Sequence, residues 1–430
     1  MKATTMVVSA ACALTLGLGT APRALAMPSC NERITRTTVV PCAIEASLAA
    51  RSEQLGLIAL DGRLRSAAAL LPSNPALILT GGLPFDPSTT ERTPLWSAAL
   101  SQEVEIAGQR GARLDVVAAE QRAQRARVTV AHRQTAADAL FAYFDAIASR
   151  EDLKVAERLV SLAKALKTVA SARAEVGLGS DLDARLAEAA AIRLTQTRIA
   201  AEQRVASTSA ALTTLLGLNP LLERPQIDGG LAPLAIVDLP AAALVETALT
   251  RRADVTVLAA ERQAQEQRIK MFERLRIPNP TFSAFARRDW IGERVVGVGI
   301  SFPIPLPAPI GRTYAGEIAE ATAFVRRAET QIEGIHRAIR LEVVKAVEAV
   351  SARKRQLDLY TPEQIQKTGS AVDAIAEELT AKRLPVREAL IAQQALIEVL
   401  SGYVEAQRAL CFATVELARA AGIELERGVQ

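Results

Sequence analysis

Apolar and polar residues follow two different periods along this chain, and these periods predict two kinds of element. Over most of the length, Ala and Leu recur every three or four residues among Arg, Glu and Gln, which is typical of amphipathic helices. One short run alternates strictly instead, and its apolar face consists of Val296, Val298, Ile300 and Phe302. This period of two predicts a strand with one apolar face. The pattern therefore predicts long helices joined to short strands.

The same order of landmarks occurs twice along the chain, at an offset of about 205 residues. An Asn-Pro pair precedes a strand-like run in each half. Breaks in the helical pattern and small-residue helix ends repeat at nearly the same offset, at Gly179 and Pro385 and at Gly217 and Gly422. We therefore predict two copies of one unit, residues 27–219 and 241–430, joined by a linker at 220–240 that is rich in Pro and Gly.

Each predicted unit runs helix, two strands, long helix, break and helix. At 1.5 Å per residue, the long helices over residues 111–176 and 313–382 would each span about 100 Å. In each unit the two shorter helices together match this length, so we predict that they stack end to end beside the long one, over residues 41–70 and 180–216, and over 241–275 and 386–421. The predicted strands are residues 74–81, 94–105, 279–287 and 294–302. The breaks at 177–180 and 383–386 then form hairpin tips far from the strands.

Four strands per chain are too few to close a barrel. An open sheet edge is not tolerated in lipid, because each unpaired backbone group costs several kcal/mol. If the strands lie in a membrane, several chains must associate, and three chains would supply twelve strands. Beyond the N terminus, no stretch reaches the roughly 18 apolar residues of a membrane-spanning helix.

The N-terminal segment has the features of a secretory signal peptide. Lys2 is followed by an apolar run at residues 6–20, and Ala24-Leu25-Ala26 fits a cleavage site, so residues 1–26 are predicted to be removed. Outside the cytoplasm, Cys30 and Cys42 could form a disulfide bond. Cys30 could instead carry a lipid, although the residues that precede it match a lipidation signal poorly.

Composition and motifs exclude several classes of function. The net charge is only +4, and charged residues of both signs are interspersed along the helices, so no nucleic-acid partner is expected. His132 and His336 are isolated, so no metal site is predicted. No phosphate loop or nucleophile elbow occurs, and we expect neither an enzyme nor a bound cofactor. An alternative is a periplasmic coiled-coil adaptor or scaffold without membrane strands, but that alternative does not explain two strand pairs at equivalent repeat positions.

These features together resemble the TolC family of bacterial outer-membrane efflux ducts. The resemblance rests on the twofold repeat, the two Asn-Pro strand starts, "LSQEVEIAGQRGAR" at 100–113 and "SFPIPLPAPIGR" at 301–312. The tip "VGLGSDLDARLAEA", which begins at Val176, looks like the family's Val-Gly-Leu-x-Ser/Thr turn. "AGQR", at residues 107–110, most resembles the subgroup that is paired with heavy-metal exporters.

The resemblance implies a mainly α fold with a small β part. It implies a homotrimer with a twelve-stranded transmembrane barrel in the outer-membrane lipid of a Gram-negative bacterium and a long periplasmic α-helical barrel. A periplasmic adaptor, or membrane fusion protein, would connect this exit duct to a separate inner-membrane efflux pump. The duct itself would catalyse nothing. Neither the cargo nor the pump class can be read from the sequence.

The resemblance also suggests two sites near the tips. Adaptor docking would involve Val176, Gly177, Leu178, Gly179 and Ser180, with Arg383, Leu384 and Pro385 of the second tip beside them. The family narrows its periplasmic end with carboxylates just past a tip, and the repeat-equivalent candidates are Glu388 and Asp183. Three copies of either would form a ring that favours cations. Alternatively, both carboxylates could simply stabilise a helix N-terminus.

Overall fold

The computed structural model describes residues 30, 33–83, 94–235, 239–289, 292–381 and 384–425. The predicted signal peptide lies outside these residues. Their helices are α1 Arg36–Ala46, α2 Leu48–Ala67, α3 Gln109–Glu175, α4 Asp181–Leu215, α5 Ala241–Arg251, α6 Ala253–Leu275, α7 Ala315–Leu357, α8 Pro362–Thr380 and α9 Val386–Ala420. Their strands are β1 Arg33–Ile34, β2 Ala76–Gly82, β3 Leu95–Glu103, β4 Gln226–Ile227, β5 Thr281–Arg288 and β6 Arg294–Ser301. The prediction of a mainly α fold with a small β part is confirmed.

Helix α3 is the longest element, an unbroken helix of 67 residues. At 1.5 Å per residue it is about 100 Å long and joins the sheet to the first tip. Many of its buried positions are alanines, and such small side chains let neighbouring helices approach closely. Helices α2, α4, α6 and α9 all pack against it. The prediction of one long helix in the first unit is therefore confirmed.

The long helix of the second unit is interrupted, so the prediction of one helix over residues 313–382 was wrong. Helix α7 ends at Leu357 and α8 begins at Pro362. The Thr361 hydroxyl accepts a hydrogen bond from Gln364 N at 3.2 Å, and Gln364 Oε1 accepts one from Thr361 N at 3.1 Å. This reciprocal pair is a capping box, and proline is well suited to the first position of the helix that follows.

The shorter helices that precede the sheet are also divided, so the predictions of single helices over 41–70 and 241–275 were wrong. Ser47 separates α1 from α2, and its hydroxyl accepts a hydrogen bond from Ala50 N at 3.2 Å. Arg252 separates α5 from α6 in an extended conformation, with ψ of 128°. Its guanidinium bridges Asp254 at 2.6 Å and Glu342 of α7 at 2.5 Å. This division therefore lies at a contact with a neighbouring helix.

Strands β2, β3, β5 and β6 form one antiparallel sheet in the order β2-β3-β5-β6. The pairing of β3 with β5 joins the two halves of the chain, in a register that sets Trp96 opposite Arg288 and Glu103 opposite Thr281. Within this sheet, β2 and β6 each have one outer edge without a partner strand. Each strand overlaps its predicted range to within a few residues.

Part of the predicted linker packs against helices of both units. Strand β4 pairs in parallel with β1, a short contact that the sequence analysis did not predict. Tyr143 of α3 donates a hydrogen bond to the carbonyl of Asp228 at 2.7 Å. Ile227 and Leu234 are buried in the largest core cluster, together with residues of α1, α3 and α9. Residues 227–234 therefore contribute apolar side chains to the core about halfway along α3.

A disulfide bond joins Cys30 to Cys42 of α1. A lipid thioether would need the same Sγ atom of Cys30, so the bond and lipidation exclude each other. Cys411 of α9 is fully buried, and burial raises the pKa of its thiol to about 12. Because the thiolate is the reactive form, we expect this cysteine to be inert.

Candidate functional site

The first tip is a tight reversal between α3 and α4. Leu178 N donates to the carbonyl of Arg173 at 2.8 Å, and Gly177 N donates to the carbonyl of Ala174 at 3.0 Å. These two bonds form a Schellman motif, which requires a left-handed residue just after the helix, and Gly177 has φ of 72°. The Ser180 hydroxyl then accepts from Leu182 N at 3.1 Å and caps α4. The tip is therefore a defined turn with its polar groups satisfied.

Two large apolar side chains project from this turn. Val176 is 68% exposed and Leu178 is 76% exposed. Gly179 lies against α3, because a Cβ built there would come within 3.0 Å of the Cβ of Arg173. The turn thus presents two apolar side chains at the end of a long hairpin.

The second tip lies beside the first, as far as its residues are described. Leu384 is half-buried, and its carbonyl accepts a hydrogen bond from Arg173 Nη1 at 3.3 Å. Pro385 is the N-terminal cap of α9, and its carbonyl accepts from Ala389 N at 3.1 Å. Arg383, the remaining member of the predicted docking set, lies outside the described residues. The Arg173 hydrogen bond therefore joins the two tips.

The two candidate gate carboxylates have different surroundings, although both lie in the first turn of a helix. Asp183 is largely shielded, with 24% of its side chain exposed, and its Oδ1 lies 3.6 Å from Nη2 of Arg387. That atom accepts no hydrogen bond, so the contact with Arg387 is an ion pair across the tips. Glu388 is exposed, and no ion pair or hydrogen bond of its side chain occurs among the described residues. Among the described residues, a cationic side chain lies near Asp183 and none pairs with Glu388.

A groove above the tips runs between α4 and α9 over the surface of α3. It has a volume of about 860 Å³ and is lined mainly by apolar side chains, among them Leu186, Leu194, Leu390 and Ile397. Gln393 in its wall is 2% exposed, and its Nε2 has no hydrogen-bond partner. Asp152 also lines the groove, and burial raises its pKa although Arg204 lies nearby and opposes that shift.

The four-stranded sheet has two chemically different faces. Its apolar face, which includes Leu77, Leu79, Leu100, Phe282, Val296, Val298 and Ile300, is exposed. The side chains on its second face are smaller and more polar, and include those of Thr80, Ser97, Ser101 and Ser283, with Gly297 and Gly299 between them. On the second face, the hydroxyls of Thr80 and Ser97 lie 2.6 Å apart. A sheet with this pattern can face lipid on one side and water on the other.

A polar network joins the sheet to the helices. Gln109, the first residue of α3, is fully buried, and its Oε1 accepts from Ala107 N at 2.9 Å. Its Nε2 donates to Asn279 Oδ1 at 2.8 Å and to the carbonyl of Ile277 at 3.3 Å. Asn279 Nδ2 in turn donates to Glu103 Oε1 at 2.8 Å. The network joins residues of two motifs that are visible in the sequence, although no role for Gln109 was predicted from them.

Two features are absent from the described residues. No group of three or more His, Cys, Asp or Glu side chains in this part of the chain could hold a metal ion. None of its helices is both long enough and apolar enough to cross a membrane.

Comparisons of sequence cover part of the chain. Residues 66–218 match the sequence model of the family described as outer membrane efflux protein. The nickel-cobalt-cadmium resistance protein NccC of Alcaligenes xylosoxydans xylosoxydans is 29% identical over 226 residues, which are 52% of this chain. The chain matches about half the length of that curated relative, namely 50%.

Comparisons of structure cover nearly the whole chain. The outer membrane protein VceC of Vibrio cholerae superposes with a TM-score of 0.70 at 16% identity, over 90% of this chain and 97% of that one. The CmeC outer membrane channel of Campylobacter jejuni gives a TM-score of 0.73 at 14% identity, over 90% and 85% of the two chains. A membrane protein from Pseudomonas aeruginosa gives 0.73 at 17% identity, over 90% and 93%. The chain thus has the fold of the TolC-like outer-membrane channels, and its residues 66–218 are similar to the outer membrane efflux protein family.

Proposed function

We propose that the protein is the outer-membrane exit duct of a tripartite efflux system. Three copies would assemble so that their sheets close a twelve-stranded barrel and their helices form a periplasmic tube. An inner-membrane pump would supply the cargo, and a periplasmic adaptor would connect the pump to the duct. The protein itself would provide a path and perform no chemistry on the cargo.

The exposed apolar face of the sheet is the observation that carries this proposal. Val296 and Val298 are 83% and 86% exposed in a single chain, next to Leu77, Leu79 and Leu100. A contiguous apolar surface of this kind marks a contact with lipid or with another protein. The outer edges of β2 and β6 lack partner strands within the sheet, and backbone groups cannot remain unpaired in lipid. Closure by neighbouring copies would satisfy both requirements.

Fractionation and assembly test the proposed function. We expect the mature protein to sediment with outer membranes and to migrate in mild detergent as a trimer that heating converts to a monomer. Planar bilayers containing the trimer should show discrete conductance steps. A soluble periplasmic monomer with its strands intact would contradict the proposal and favour the periplasmic scaffold.

The cargo that we propose is a divalent transition-metal ion. This step rests on the relative whose name is nickel-cobalt-cadmium resistance protein, which matches half of the chain. Deletion of the gene should then increase sensitivity to nickel, cobalt or cadmium but leave sensitivity to neutral hydrophobic drugs unchanged. The opposite pattern would assign the duct to a drug pump.

The tips are the proposed docking surface for the adaptor. Val176 and Leu178 offer exposed apolar area on a hydrogen-bonded turn, and Gly177, Gly179 and Ser180 set its backbone. Leu384, Pro385 and Arg383 of the second tip would extend this surface. An adaptor with a complementary apolar helical end would bury the two side chains of the first tip.

Glu388 is the proposed gate residue, and its replacement should change how the channel responds to multivalent cations. Three exposed carboxylates around one narrow bore would raise the local cation concentration and bind a trivalent ion. We expect Glu388→Ala to weaken block by hexaamminecobalt, added on the periplasmic side, by at least about tenfold. Conductance without the blocker should stay similar or rise. Single-channel recording in planar bilayers measures both quantities.

Asp183→Ala is the matched control for Glu388→Ala. Both positions lie in the first turn of a tip helix, but the ion pair with Arg387 already offsets the charge of Asp183. The control should therefore weaken the block less. If block persists in Glu388→Ala and disappears in Asp183→Ala, the gate belongs to the first hairpin and our assignment is wrong.

A further inference from the structure

We propose that Arg288 and Arg294 form a binding site for the phosphate group of a phosphorylated lipid in the outer leaflet of the membrane. This inference rests on the proposed function, because it requires the sheet to be part of an outer-membrane barrel. It adds a specific lipid contact on the outside of the wall, separate from the cargo path and from the tips.

The strand register places the two arginines side by side. Arg288 ends β5, Arg294 begins β6, and the two residues are directly paired. Trp96 of β3 is paired with Arg288 on the other side, and Gly81 of β2 with Trp96. Directly paired residues of antiparallel strands project from the same face. These four paired residues form a row across the sheet. The row therefore presents one indole and two guanidinium groups on one face of the sheet.

That face is the apolar one. Side chains alternate along a strand, so Arg294 lies on the same face as Val296 and Val298, which are the most exposed apolar residues of the sheet. The next residue along β5 from the pair, Arg287, lies on the opposite face and is paired with Ser97. The arginine pair thus terminates an apolar band, whereas Arg287 belongs to the more polar face.

The position of this row along the strands agrees with that of a membrane interface. The row lies at the hairpin end of the sheet, because residues 289–293 connect β5 directly to β6, while the helices join the other end. In the proposed duct the helical end is periplasmic, so the hairpin end faces outward. Trp96 is 43% exposed in this row, and tryptophan is enriched where acyl chains meet headgroups. The guanidinium groups then lie at the level of the lipid phosphates.

The electrostatics of the pair favour a bound anion. Like charges directly opposite one another on a sheet are destabilising. Arg288 Nε is buried without a hydrogen-bond partner. Neither arginine forms an ion pair with any carboxylate in the part of the chain that the structure describes. A phosphate between the two groups would offset the repulsion and accept hydrogen bonds from both planar guanidinium forks.

The surroundings favour a lipid over a soluble phosphate compound. The surface that continues from the pair toward the periplasm is apolar and exposed, through Val296, Val298 and Ile300. Acyl chains would cover this surface while their headgroup contacts the arginines. A soluble anion would leave the same wall uncovered. We therefore assign the site to a lipid that joins phosphate to hydrocarbon.

Native mass spectrometry of the purified trimer tests the assignment. The probes are lipid A, which carries two phosphates, and the same lipid after enzymatic dephosphorylation. We expect the unaltered trimer to retain lipid A, and the double variant Arg288→Gln/Arg294→Gln to bind it at least about tenfold more weakly. Arg287→Gln is the matched control on the opposite face and should bind like the unaltered protein. Inorganic phosphate at millimolar concentration should not displace the lipid.

Each result bears on one of the two proposals. A conducting trimer whose double variant retains lipid A normally, or whose unaltered form binds both lipids equally, overturns this inference alone. Displacement by inorganic phosphate overturns the choice of a lipid. If the double variant does not assemble, the comparison of the two lipids on the unaltered trimer still decides. A chain that fractionates away from the outer membrane overturns the proposed function first, and this site with it.

Discussion

Replacing Gly177 with valine should abolish efflux while the trimer still assembles. Gly177 has φ of 72°, and a Cβ built there meets no atom within 4 Å, so the effect is conformational rather than a clash. An L-residue in the left-handed region costs about 1–2 kcal/mol, and a β-branched one more. An adaptor that recognises this turn must restore it, so its affinity should fall by at least about tenfold. Metal or drug tolerance of complemented cells and adaptor pull-down measure the result.

A graded series at Gly177 separates backbone geometry from direct contact. Asparagine tolerates the left-handed region better than other side chains, so Gly177→Asn should keep most of the adaptor binding, and Gly177→Ala should be intermediate. If Asn is as harmful as Val, the adaptor touches this position directly. If Val retains efflux with the adaptor bound, the first tip is not the docking surface.

Replacing Gln109 with leucine should produce the largest loss of stability among the substitutions proposed. Leucine has a similar size but would leave the Ala107 N–H, the Ile277 carbonyl and the Asn279 amide without their present partner. Each buried group left without a hydrogen bond costs about 1–3 kcal/mol, so several kcal/mol are expected in total. The temperature at which the detergent-resistant trimer dissociates should fall markedly.

Gln134→Leu is the control for this effect. Gln134 lies on the same helix α3, is exposed, and makes one hydrogen bond to Asp138 one turn away at 3.0 Å. Its replacement should leave the dissociation temperature nearly unchanged. Equal shifts in the two variants would mean that the network at the start of α3 adds nothing beyond local helix stability.

Elements with strong local signals could be predicted from the sequence. The alternation at 296–302 locates β6 at Arg294–Ser301, because a period of two is incompatible with a helix. The Gly177 turn and the Ser180 cap mark the end of α3 and the start of α4, since each residue type satisfies a specific backbone need there. For the same reason the predicted bounds of α3, α4 and α9 are close to those observed.

The interruption between α7 and α8 had a sequence signal that symmetry concealed. Thr361-Pro362-Glu363-Gln364 has the pattern of a capping box with proline at the first helical position. The first unit has no such break in α3. Because the two units were assumed to be equivalent, one helix was predicted across Thr361 and Pro362. Internal repeats thus predict the order of elements better than their continuity.

Other features depend on contacts between distant parts of the chain. Nothing local marks Arg252 as a helix boundary, where no glycine or proline occurs, and its partner Glu342 lies on another helix. The Asp183–Arg387 ion pair arises only when the two tips meet, so the sequence offered both Asp183 and Glu388 as gate candidates without showing this pair. Such differences come from tertiary packing and cannot be read from the local residue pattern.

The open outer edges of β2 and β6 have a genetic consequence. If each edge is completed by a neighbouring copy, a chain with a damaged edge prevents closure of every barrel that it enters, including those that also contain intact chains. In a cell that expresses both forms of the gene, most assemblies would contain at least one altered copy. Edge mutations in β2 or β6 should therefore be dominant, whereas mutations that prevent secretion of the chain should be recessive.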